Sequence, residues 1–299
     1  TRHRTRVSMI NFFQLVISGV ATGSIYALVA LGFTLLWQAS GTINFAAGEF
    51  VMLPAFSMLA FQSMGLPLWI SFLLTLVVAT VLLGYGFKRA IVDPMRKFGV
   101  MPLVVATIGL ALIMRSGVQI AFGAQAMPFK NVFGYQVFSI AGVHVSASDL
   151  GTLIVTFIVV FGLQAFLQRT VTGRAMQAVA QNTETARILG IRVNRMIFYT
   201  FAINAILATL AALLVTPIYL AKFDMGILLG LKAFLAAIIG GFNNSRGALL
   251  GGVIIGVSEN LVGAYISSAY MDGVALALFL LVILFKPDGL LGAPVARKV

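Results

Sequence analysis

The sequence predicts an all-α, polytopic membrane helical bundle of about eight spans plus one broken or re-entrant segment. Three observations predict it. Hydrophobic residues make up 60% of the 299 and charged residues only 9%, against roughly 25% charged in a soluble domain, which is too few to cover a water-facing surface. Apolar runs of about 20 residues recur from end to end, each long enough to cross a bilayer as a helix. Most of the bases lie between those runs. Lipid offers no partner for backbone N–H and C=O groups, so helices are the expected spans, and the runs lack the short alternation of barrel strands.

The first run, 11–37, is too long for a signal-peptide core and is expected to be retained as a span. Runs 67–87, 102–123, 150–168, 196–221 and 247–266 follow as spans, with two shorter ones at 228–241 and 273–285. All but four of the 20 Lys and Arg (Arg115, Lys130, Lys222 and Lys232) fall in five stretches: Arg2 to Arg6, Lys88 to Lys97, Arg169 to Arg195, Arg246, and Lys286 to Lys298. Basic loops stay in the cytoplasm. These stretches are therefore expected inside, and the nearly neutral connections 124–149, 222–227 and 267–272 outside. The net charge of +12 is then mostly topology, and no basic face with interleaved aromatics points to nucleic acid.

One segment breaks the alternation. Both the N-terminus and residues 88–97 read as cytoplasmic, yet three apolar runs lie between them. Run 43–63 resolves the count if it is not a simple span. It opens Ile43-Asn44-Phe45-Ala46-Ala47-Gly48-Glu49 and contains Pro54, an interrupted character tolerated at membrane depth only beside protein or a water-filled cavity. Interrupted or short apolar segments mark binding regions in transporters. Gly19 with Gly23, Gly247 with Gly251, and Gly252 with Gly256 have the four-residue spacing of close helix packing.

The chemistry available is narrow. There is no cysteine, and His3 and His144 lie far apart outside the runs, which excludes disulfides, thiolate sites and a cysteine nucleophile and argues against a histidine metal cluster. No G-x-x-x-x-G-K-[ST], H-E-x-x-H or G-x-S-x-G sequence occurs, so neither a phosphate loop for ATP nor a hydrolase centre is expected. Four ionisable residues sit inside apolar runs: Glu49, Arg115, Lys232 and Glu259. Such residues are costly and mark function by default. Two readings stay open, internal acid–base pairing and a direct transport role. Two acids and two bases make a poor proton relay.

Segment 169–195 is the most informative polar stretch, with five bases and one acid. Residues 174–181 are helix-prone with Met176, Val179 and Ala180 on one face. Asn182 or Thr183 is expected to cap a second short helix with Glu184 in its first turn, and Gly190 suits a left-handed stop. Two short surface helices result. Their partner is a protein or the anionic lipid surface.

The residues resemble the LivH-type permease subunits of branched-chain amino acid ABC importers. The resemblance runs nearly the whole length, through Gly23–Leu35 (GSIYALVALGFTL), Ile43–Met52 (INFAAGEFVM), Gly173–Asn182 (GRAMQAVAQN) leading to Ala186–Ile191 (ARILGI), Gly240–Gly252 (GGFNNSRGALLGG), and Phe285–Gly292 (FKPDGLLG). It departs from the family pattern at Ala47, where a polar residue is frequent, and at Pro54, where Gly is usual, which leaves the substrate open. The resemblance implies one permease domain over 1–299, multi-pass in a bacterial inner membrane, with 169–195 as a cytoplasmic coupling loop. It implies a second LivM-like permease, two cytoplasmic ABC ATPases that carry the ATP and Mg, and a periplasmic binding protein; this chain itself is expected to bind no cofactor and to catalyse no reaction. It implies coupling roles for Gly173, Arg174, Glu184, Ala186, Arg187 and Gly190. Asn44, Phe45 and Glu49, with Glu259, are the expected pathway residues. Related permeases serve urea, short amides or aromatic acids, and an ion-coupled secondary transporter is the reading from another class.

Overall fold

The computed structural model describes residues 2–41, 43–140, 143–242 and 244–292, with backbone alone for 2–8, 40, 96 and 140. The expected cytoplasmic bases Arg297 and Lys298, and the side chains of Arg2, Arg4 and Arg6, lie outside that description.

Twelve α-helices follow one another among the described residues: α1 Arg2–Ser40, α2 Glu49–Ser63, α3 Leu68–Ala79, α4 Asp93–Arg96, α5 Val100–Phe122, α6 Ala147–Arg169, α7 Val171–Gln181, α8 Thr183–Ile188, α9 Val193–Tyr219, α10 Met225–Gly240, α11 Ser245–Tyr265 and α12 Met271–Phe285. Seven helical stretches are long and apolar enough to cross a membrane: Met9–Ala39, Leu68–Met95, Val100–Phe122, Ala147–Arg169, Val193–Tyr219, Ser245–Tyr265 and Ser268–Phe285; Met225–Gly240 is a shorter apolar helix. Their outer faces carry large apolar side chains such as Ile113, Ile120 and Leu284. Exposed apolar area on this scale is untenable in water and expected in lipid. The chain is a polytopic helical membrane protein.

Segment 43–63 is broken where the sequence is polar. Residues 45–48 form a turn, and α2 begins only at Glu49. Its 15 residues reach about 22 Å, short of a hydrocarbon core of roughly 30 Å. Pro54 lies inside α2 and removes one backbone donor. Two features were not expected. The rod that starts with α3 runs on as π-helix over Thr80–Gly86 and Lys88–Val92 before α4. Within 124–149, strands β1 Val137–Ile140 and β2 Val143–Ser146 pair antiparallel, Val137 opposite Ser146. An all-α expectation missed this hairpin because two four-residue strands carry no periodic signal that a short loop lacks.

The chain forms two compact units interleaved along the sequence. Unit 1 comprises residues 1–30, 130–158 and 232–299; unit 2 comprises 31–129 and 159–231. Helices pack in membranes through close backbone approach rather than a hydrophobic driving force, and unit 1 shows this. A Cβ on Gly23 would lie 2.7 Å from Val253 Cα, and one on Gly252 would lie 2.6 Å from Ala27 N; Gly19 and Gly256 meet the opposite helix in the same way. The spaced glycines of α1 and α11 therefore face each other. Gly247 meets Gly240, and Gly251 meets Ala236, across the α10–α11 turn. The C-terminal segment closes this unit: Leu290 N donates to Ile239 O at 2.8 Å and Leu291 N to Gly240 O at 2.9 Å. Those bonds satisfy carbonyls that the end of α10 leaves open.

In unit 2, α2 packs on the α3 rod and on α9. Phe50, Phe87 and Phe201 stack in sequence with ring centroids 5.0 and 5.6 Å apart. Gly84 lets the π-helical rod approach α9 at Ala202.

Candidate functional site

The broken segment in unit 2 brings three of the four expected pathway residues together. Asn44 is buried, and its Oδ1 accepts from Ala46 N at 3.0 Å, which holds the turn. Its Nδ2 has no partner among the described residues. Phe45 is exposed, and its backbone N donates to Thr107 Oγ1 of α5 at 3.3 Å. Glu49 opens α2, where a carboxylate suits the positive helix end. It is buried and accepts from Arg115 Nη2 of α5, while Arg115 Nε is a second buried donor without a described partner. The site thus holds one neutralised ion pair and two unsatisfied N–H donors. Buried donors are rarely left unpaired, and water or a passing polar solute would satisfy these.

Glu259, the fourth pathway residue, belongs to unit 1. Lys232 Nζ lies 3.0 Å from Glu259 Oε1, and Tyr26 OH donates to Glu259 Oε2 at 3.0 Å. The Lys232–Glu259 contact is an ion pair by distance, but its geometry is not that of a directed hydrogen bond, since Oε1 has none. Lys232 also reaches Asp272 Oδ1 of α12 at 2.9 Å and lies 5.4 Å from the Tyr26 ring centroid. A base on α10 therefore ties α1, α11 and α12. All four ionisable residues predicted inside apolar runs are paired in the structure. Among the described residues no group of three His, Asp or Glu side chains is placed to hold a metal ion.

Segment 169–195 folds as the two short helices expected. Thr170 Oγ1 accepts from Gly173 N at 2.9 Å to start α7, and Asn182 Oδ1 accepts from both Glu184 N and Thr185 N at 3.0 Å to start α8. Gly173, Met176 and Val179 form the buried side of α7, and Ala186 is buried on α8. Gly173 admits no side chain, because a Cβ there would meet the backbone of Leu167 at 2.5 Å. Gly190, at φ 81°, ends α8 in the left-handed region. Arg174, Glu184 and Arg187 are exposed, and so are Ile188 (85%) and Leu189 (73%) at the tip.

A family model for the branched-chain amino acid transport system permease component matches residues 15–283. The chain belongs to this permease family. It is 34% identical to the high-affinity branched-chain amino acid transport system permease protein BraD of Pseudomonas aeruginosa, over 97% of this chain and 98% of the relative. It is 33% identical to the LivH permease proteins of Salmonella typhimurium and Escherichia coli, over 96% of this chain and 98% of each relative. No solved structure matches.

In the permease, sequence reasoning missed Tyr26, Thr107 and Asp272 as partners. Tyr26 lies inside the motif Gly23–Leu35, and Asp272, at the end of the connection 267–272, falls in the first turn of α12. The orphan amide of Asn44 separates a structural role from a transport role. Asn44→Ser keeps a short oxygen to hold the turn, so thermal stability is expected to fall by at most about 1 kcal/mol. Solute uptake by the assembled permease is expected to fall severalfold. Equal, small losses in both measurements would leave Asn44 a turn residue only.

Proposed function

We propose that the permease imports branched-chain or other hydrophobic amino acids across a bacterial inner membrane, as the transmembrane subunit of an ATP-binding-cassette importer. The observation that carries this reading is the family match over residues 15–283, joined by relatives named for high-affinity branched-chain amino acid transport. The partners are a second permease, two cytoplasmic ATPases that bind the ATP and Mg, and a periplasmic binding protein that delivers the solute. The chain itself is not an enzyme.

Segment 169–195 is the handle. Its apolar tip at Ile188 and Leu189, next to exposed Arg187 and on the same segment as exposed Arg174, suits a protein groove with acidic edges. Gly173 seats α7 on the end of α6, both short helices pack against α9 with Ala186 buried on α8, and Gly190 turns the tip. ATP closes the ATPase dimer, the handle moves, and the permease pair changes between outward- and inward-facing states. A driven switch needs a ligand that stabilises one state over the other, and nucleotide on the ATPases supplies that difference. Asn44, Phe45 and Glu49 are the passage residues of unit 2, and Glu259 is the one in unit 1.

The test is leucine uptake into proteoliposomes holding the permease pair, the ATPases and the binding protein. Gly190→Arg, and Arg174→Glu with Arg187→Glu, are expected to leave the protein inserted and to cut ATP-driven uptake at least tenfold, while ATP hydrolysis becomes insensitive to the binding protein. The strain of a side chain at Gly190 is local, on the order of 1 kcal/mol, so unfolding does not explain such a loss. Uptake of urea, short amides or aromatic acids in place of leucine would move the substrate reading. Uptake driven by an ion gradient without any ATPase would make the permease a secondary transporter.

A further inference from the structure

A basic-lined cavity that includes none of the residues of the broken segment is present. It opens in unit 2 between the π-helical end of the α3 rod and the start of α9, with a volume of about 280 Å³. Tyr85, Lys88, Arg89, Asp93, Asn194, Arg195 and Phe198 line it. The two elements touch at Gly84 and Ala202 and leave space beyond that contact. The cavity sits where the apolar rod gives way to Lys88 and Arg89, at a membrane–water boundary that the base distribution marks as cytoplasmic.

Its chemistry is that of a phosphate site in a greasy wall. Lys88 is buried and grips both Asp93 oxygens at 2.9 Å, so these two charges cancel. Arg89 and Arg195 carry the remaining charge. Arg195 Nε donates to Tyr199 OH at 2.8 Å, which fixes the guanidinium plane, and Arg89 makes no ion pair among the described residues. Guanidinium forks match phosphate oxygens, and Asn194 adds an amide. Tyr85 and Phe198 stand edge to face, centroids 6.1 Å apart, as aromatic residues do at headgroup depth. Below the opening, exposed Leu74, Val77, Val81 and Leu82 offer an apolar track along the rod.

We propose that this cavity binds the phosphate of an anionic diacyl phospholipid from the cytoplasmic leaflet, with an acyl chain along the α3 rod. Free inorganic phosphate shares the polar chemistry but not the track. At about 280 Å³ the cavity is near the lower limit for small-ligand sites, roughly 300 to 1,000 Å³, which suits a headgroup and not a whole lipid. Basic pockets between helices on the cytoplasmic side are expected to hold such headgroups.

The test measures phosphatidylglycerol retained by the purified permease in native mass spectrometry. It also measures the rise in thermal midpoint when phosphatidylglycerol is added to phosphatidylcholine vesicles. The unmodified chain is expected to retain phosphatidylglycerol and gain stability. Arg89→Gln with Arg195→Gln is expected to weaken that binding roughly tenfold or more, with an unchanged midpoint in phosphatidylcholine alone. Lys97→Gln removes an exposed base of the same stretch outside the cavity and is expected to bind as the unmodified chain does. Equal losses in the Lys97 and arginine variants would mean diffuse surface attraction and overturn the site. So would stabilisation by inorganic phosphate alone, or binding of an acidic partner subunit that persists without lipid and is lost in the arginine variant.

Discussion

Lys232→Met is expected to destabilise the permease by about 3–5 kcal/mol, the usual effect of stripping one partner from a buried ion pair. Glu259 keeps only 1% of its side-chain surface exposed, and Lys232 only 9%. Without the ammonium, Glu259 retains a single directed hydrogen bond, from Tyr26, and lies as a lone carboxylate among packed helices. The cost comes from the stranded charge and not from the pair's own strength. Lys232→Met combined with Glu259→Leu is therefore expected to recover most of the loss, because neither charge remains to be desolvated. Asp272 is the internal control. Its side chain is 61% exposed, so water screens its contact with Lys232, and Asp272→Asn is expected to cost under about 1 kcal/mol. Thermal unfolding in vesicles orders the three variants. A double variant as unstable as Lys232→Met would mean that the pair itself, with its ties to α1 and α12, specifies the packing.

Gly226→Val is expected to disrupt the broken segment. A Cβ on Gly226 would lie 2.7 Å from the Gly48 carbonyl carbon, and one on Gly230 would lie 2.9 Å from Gly48 N. A Cβ on Gly48 would in turn collide with the Gly226 carbonyl oxygen. Backbone meets backbone on both sides, so no side chain is available to rotate away. Overpacking typically costs 1–3 kcal/mol, and here the effect belongs at about 3 kcal/mol or beyond. The turn that gives way carries Asn44 and leads into Glu49, so uptake is expected to fail together with stability. Gly109→Ala on α5 is the matched control, since a Cβ there meets nothing within 4 Å. It is expected to be neutral or to stabilise by up to about 1 kcal/mol. Thermal midpoints and membrane yield of the two variants measure the contrast.

Local signals made much of this permease legible. The apolar runs set the spans. The interruption at Asn44 to Gly48 marked a segment whose helix is too short to count among the seven long apolar helices. Asn182 and Gly190 marked the start and stop of α8, and the spaced glycines marked the α1–α11 contact. What stayed hidden was long-range. Two buried acids and two buried bases allow more than one pairing, and only the fold assigns Glu49 to Arg115 and Glu259 to Lys232. Gly48 gave no sign of Gly226 and Gly230, because a close approach needs small residues on both elements and glycine is common in membrane helices. The motif Phe285–Gly292 did not announce that it caps α10 at Ile239 and Gly240. The π-helical winding of 80–92 left no periodic trace, and with it the basic cavity stayed out of view.

The central claim is that segment 169–195 is a cytosolic handle gripped by a partner ATPase. The chain contains no cysteine, so a single Thr185→Cys on exposed α8 gives a unique label site. The measurement is labelling by a membrane-impermeant maleimide in right-side-out and inside-out vesicles, with and without the ATPases bound. The account predicts labelling in inside-out vesicles alone, and its suppression when the ATPases dock. Labelling from the outer face, or labelling indifferent to the ATPases, would contradict it.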